Sequence, residues 1–116
     1  MMEDFCLFIE SLGGLHDAEV ISLVWTPANA EIRMSVDDIH SNFDGLPEYQ
    51  GLVPGVFVFS GVTDVEWAVD RPDPRLKIYD WDVMPITGGA RSEIKISPSG
   101  RLVIQCAAVV LAPDRP

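Results

Sequence analysis

The sequence predicts an α+β fold, mainly antiparallel β, with one short N-terminal helix and about seven strands in a curled sheet or two-layer arrangement. Three observations predict it. A single apolar pattern of helical spacing lies near the start, alternation of apolar and polar residues recurs along the rest, and clusters of Gly, Pro, Asn and Asp separate the alternating segments. At 116 residues the chain fits one domain, residues 1–116, and its 47% hydrophobic content and three Trp supply a core, which excludes wholesale disorder.

Phe5, Phe8 and Ile9 stand at i, i+3 and i+4, which predicts a helix over residues 3–12. Gly13-Gly14 ends it, because glycine adopts left-handed conformations cheaply. Residues 18–25 are rich in β-branched side chains, Pro27-Ala28-Asn29 makes a turn, and Ala30, Ile32, Met34 and Val36 alternate with Glu31, Arg33 and Ser35. These two strands form an antiparallel hairpin. Residues 37–54 break the alternation with Asp, Asn, Gly and Pro and predict a long surface loop. Val56, Phe57, Val58 and Phe59 make a third strand, Ser60-Gly61 bends it, and Val65, Trp67 and Val69 alternate with Asp64, Glu66 and Ala68 in a fourth. Arg71-Pro72-Asp73-Pro74 turns the chain into a fifth strand over residues 75–83, and Met84 to Ala90, with Pro85 and Gly88-Gly89, predicts a flexible connection. Ile94 and Ile96 mark the sixth strand, Ser97-Pro98-Ser99-Gly100 a turn, and Leu102, Ile104 and Cys106 the seventh. Trp25, Trp67 and Phe57 or Phe59 are expected in the core.

The formal charge is −10, unevenly spread: residues 1–70 hold 13 acidic and 1 basic side chain and residues 71–116 hold 5 and 7, charges of −12 and +2. Phosphates and anionic headgroups are repelled by such a field, so no nucleic acid and no membrane surface is expected as a partner. A basic protein fits better. The acidic start of the chain lacks an export pattern, and the longest apolar stretch, residues 102–113, is shorter than the roughly 20 residues that cross a bilayer, so a cytoplasmic location is expected. Cys6 and Cys106 are expected to be reduced core residues.

Four groups of residues invite chemistry. His16-Asp17 suggests a base held by a carboxylate, but neighbours on a strand face opposite ways, which favours a turn or strand-entry role with bonds to backbone near Gly14. Asp37, Asp38 and His40, followed by Asp44 and Glu48, could ligate a divalent metal, yet the spacing of a helix-loop-helix calcium site is missing. The simpler expectation is no metal and no cofactor. Asp80 and Asp82 share a strand face with Trp81 opposite, which suits an exposed strand better than sugar binding. Phe43 and Tyr49 are aromatic anchors ringed by carboxylates, so Asp37, Asp38, Phe43, Asp44, Glu48 and Tyr49 form the expected partner-binding surface.

Leu15-His16-Asp17-Ala18-Glu19-Val20, Phe59-Ser60-Gly61-Val62-Thr63-Asp64-Val65-Glu66 and Gly100-Arg101-Leu102-Val103-Ile104 resemble small bacterial immunity-type proteins of polymorphic toxin systems and related uncharacterised bacterial domains. The resemblance implies a mainly β, non-enzymatic cytoplasmic protein that neutralises a toxin by binding it, and it assigns no partner-binding residue. Charge is consistent with a basic toxin as partner. Two alternatives stay open: a metal-assisted hydrolase using Asp37, Asp38 and His40, and a homo-oligomeric structural protein, such as a homodimer, joined through strand edges.

Overall fold

The computed structural model describes residues 2–49, 51–68, 76–97 and 100–113. Helix α1 spans Met2–Ser11 and buries Phe5 and Ile9, the helical-face residues of the sequence pattern. A tight 3-10 turn over Gly13–Leu15 follows, with φ of +65° and +66° at its two glycines. Gly14 is required twice over, because a Cβ there would lie 2.5 Å from Asp80 Oδ1 and 3.1 Å from the Trp81 nitrogen.

Eight strands follow, one more than predicted: β1 Glu19–Thr26, β2 Glu31–Val36, β3 Gly55–Ser60, β4 Asp64–Ala68, β5 Leu76–Ile86, β6 Gly89–Ser97, β7 Arg101–Cys106 and β8 Ala108–Pro113. All their pairings are antiparallel, in the order β4-β7-β6-β5-β1-β2-β3-β8. The fold is thus α+β and mainly antiparallel. The expected β1–β2 hairpin is present, turned by Pro27–Asn29 with Ala30 in the left-handed region at φ +50°.

The extra strand comes from the end of the chain. β7 becomes β8 across the single residue Ala107, just as β3 becomes β4 across residues 61–63. Since β3 pairs with β8 and β4 with β7, residues 55–68 and 101–113 are one long two-stranded ribbon with a sharp bend. Three residues on the β3–β4 side of the bend face two on the other, a bulge that lets the ribbon turn. Ala107 N donates to the carbonyls of Ser60 and Gly61 at 2.9 and 3.2 Å, and Thr63 N to that of Gln105 at 2.9 Å. Gly61, at φ +62°, leaves room for the Ala107 methyl, which an added Cβ would meet at 2.7 Å. The ribbon joins the two ends of the open sheet and curls it around one core.

Into that core point Met34, Phe57, Phe59, Ile78, Ile94 and Ile104, closed from one side by α1. Trp81 is 2% exposed and meets the rings of Phe5, Phe57 and Phe59 at 6.0, 4.7 and 5.9 Å between centroids.

Three expectations need correction. Residues 84–90 are no flexible connection: β5 runs through Pro85 to Ile86, pairs with Gly89, and turns on Thr87-Gly88 with Gly88 at φ +82°. Trp25 and Trp67 are not core, being 46% and 48% exposed. Cys6 is only half-buried, whereas Cys106 is buried as expected. The turn at residues 71–74, and Val69, Pro98 and Ser99 in the neighbouring assignments, lie outside the described residues.

Candidate functional site

The loop from Asp37 to Pro54 is held by its own second residue. Asp38 is 5% exposed, and its carboxylate accepts hydrogen bonds from the His40 nitrogen at 3.0 Å, the Val53 nitrogen at 3.2 Å and the Tyr49 hydroxyl at 2.6 Å. One buried charge thereby closes both ends of the loop. Asp37 anchors it to the sheet, its Oδ1 accepting from the Glu19 nitrogen at 2.8 Å. Ser41, in a 3-10 turn over Ser41–Phe43, donates through Oγ to the His16 carbonyl at 2.8 Å. Successive turns, Leu46 N to Phe43 O at 2.9 Å and Tyr49 N to Leu46 O at 3.0 Å, carry the chain through an exposed arch that holds Asp44 and Glu48.

A cleft of about 350 Å³ lies inside this arch, and Asp17, Asp37, Asp38, Asp44, Tyr49 and Lys77 are among its walls. The Tyr49 hydroxyl is pushed up to about 12, first by its hydrogen bond to Asp38, then by burial and by the charges of Asp38, Asp44 and Asp37. The phenol thus stays a donor, and four Asp against one Lys among its walls leave the cleft net negative, which attracts cationic side chains.

Of the six expected binding residues, Asp37, Asp38, Asp44 and Tyr49 meet at the cleft. Phe43, half-buried, and Glu48, exposed, sit on the same arch without lining it. Asp17 and Lys77 are cleft residues that sequence reasoning missed. Asp17, with a φ of +73°, sits in a turn just before β1, as the turn or strand-entry reading expects. For that reason His16 and Asp17 do approach each other, Nε2 to Oδ1 at 3.7 Å, against the expectation that they face apart. His16 Nδ1 donates to the Tyr79 carbonyl at 2.7 Å, so its backbone partner is on β5 rather than near Gly14.

Among the described residues no group of three or more His, Cys, Asp and Glu is arranged to hold a metal ion. Asp37 and Asp38 point their carboxylates at backbone and phenol donors instead. Trp81 is buried and cannot stack on a sugar beside Asp80 and Asp82.

A second surface lies at the bend of the ribbon. Trp25 pairs across the ladder with Ile32, and Trp67 with Leu102, both core residues, so each indole lies on the core-facing side of its strand. Each nonetheless stands about half exposed. All five residues of β4 are exposed, and a groove of about 470 Å³ is lined by Trp25, Ala30, Val62, Asp64 and Val65. No helix among the described residues is long and apolar enough to cross a membrane.

No protein-family model matches the chain, and no curated protein does. Among solved structures it is similar to the crystal structure of an uncharacterized protein from Neisseria gonorrhoeae, with a TM-score of 0.55 at 11% identity, over 84% of this chain and 92% of that one. At such low identity the likeness is one of fold alone.

Proposed function

We propose that this chain is a non-enzymatic protein-binding module that captures a basic partner, in the manner of an immunity protein neutralising a cationic toxin in the cytoplasm. The observation that carries the reading is the cleft in which Asp17, Asp37, Asp38 and Asp44 converge on a chain of charge −10. A basic partner is drawn toward such a surface before contact. The hydrogen bonds of Asp38 hold the arch in place beforehand, which lowers the ordering cost of docking.

The test is capture of partners from host extract by the wild-type chain and by the Asp44→Lys/Glu48→Lys variant, followed by stopped-flow association with the captured protein across a salt series. The expected partner is basic, its association rate falls steeply with salt, and the variant slows it by roughly tenfold or more. A rate indifferent to both salt and the charge reversal would remove the reading.

A further inference from the structure

We infer that the outer edge of β4 and the indole-bearing face beside it take up an extended segment of a basic partner protein, which adds to the sheet as a further strand. β4 ends the ladder. It pairs with β7 along one edge and, among the described residues, with no strand along the other, so alternate backbone groups from Asp64 to Ala68 point outward. Such an edge is a template for strand addition.

The side chains specify what is added. Residues paired across an antiparallel ladder share a face, so alternate residues of an incoming strand meet Val65 and Trp67 on one side and Asp64 and Glu66 on the other. The first set calls for apolar side chains and the second for Lys or Arg. Trp67 offers a half-exposed indole, and Trp25 with Val65 borders the groove that would receive an apolar side chain. Arg101 is shared between Glu93 at 3.2 Å and Glu66 at 3.5 Å, which leaves the acidic row of β4 with an excess of negative charge. A second copy of this chain fits less well: a register that sets indole face against indole face also puts the Asp64 and Glu66 row on the same face as its own copy, like charge beside like charge. The inference rests on the protein-binding reading for the partner's charge but uses a surface separate from the acidic cleft.

The test titrates the isotope-labelled full chain with a capped peptide of alternating Lys and Val, and with an alternating Glu and Val control, read by amide and indole NMR shifts. The Lys peptide is expected to shift amides 64–68 and the indoles of Trp25 and Trp67. Trp67→Ala and Asp64→Lys/Glu66→Lys each weaken binding roughly tenfold or more. Equal binding of the Glu peptide, or shifts confined to the acidic cleft, would overturn the inference. So would self-association by sedimentation that Asp64→Lys/Glu66→Lys abolishes, since the edge would then belong to a second copy. Capture of the host partner that depends on Asp44 and Glu48 but not on Trp67 overturns this inference alone and leaves the cleft reading standing.

Discussion

The arch of residues 37–54 and strand β4 make an instructive pair. The arch has almost no regular structure, yet it is bound together by Asp38, tied to β1 by Asp37 and pinned by Ser41. β4 is regular and apolar on one face, yet every residue of it is exposed. Regularity of the backbone and burial are therefore separate properties. Order in the arch comes from one carboxylate with three donors, whereas β4, at one end of the ladder, keeps all five of its residues exposed.

The strongest probe of that contrast is a pair of tryptophans. Trp81→Ala removes a ring packed among Phe5, Phe57 and Phe59 and is expected to cost about 3–5 kcal/mol in urea denaturation. Trp67→Ala, on the uncovered face, is expected to cost no more than about 1 kcal/mol. Equal costs would mean that β4 is part of the core in solution.

Asp38→Ala comes next, at about 2–3 kcal/mol, because it leaves the His40 and Val53 nitrogens and the Tyr49 hydroxyl without their acceptor. Hydrogen exchange should quicken across residues 38–53 and remain unchanged in β6; unchanged exchange in the arch would deny Asp38 its organising role. Gly61→Ala, at about 1–3 kcal/mol, places a methyl at φ +62° and against Ala107, and should loosen the β4 amides before those of β3.

The smallest effect is in alkali. The Tyr49 hydroxyl, held up to about 12 against an ordinary 10.0, is neutral and bonded below pH 10, so its contribution to stability is complete there and is lost as pH rises toward 12. In a Tyr79→Phe background, phenolate absorbance should titrate late. Asp38→Asn should bring it back toward 10, and an unmoved midpoint would place the cause elsewhere.

Much of this architecture was legible in the sequence. The spacing of Phe5, Phe8 and Ile9 gave α1, and the alternation from Ile32 to Val36 gave the buried face of β2. Alternation reports which side of a strand is apolar, but it carries no information on strand order. Hence Trp67, core-facing on an end strand, was expected inside. β8 went unseen because Ala107 and Ala108 carry no turn signal and the apolar stretch 102–113 runs through the bend without a break. Four of the expected binding residues do meet, since they are close in sequence on one loop. The arrival of Asp17 and Lys77 depended on a left-handed turn and on the β1–β5 pairing, neither of which local composition announces.

The bent ribbon also orders events during synthesis. Residues 55–68 leave the ribosome well before residues 101–113, their partners along the whole ribbon. Until then β4 has no ladder and one edge of β3, with Phe57 and Phe59, stands open, which makes the nascent chain vulnerable to misassociation. A stop codon just after Cys106 would prolong that vulnerability indefinitely, because it removes the strand that covers β3.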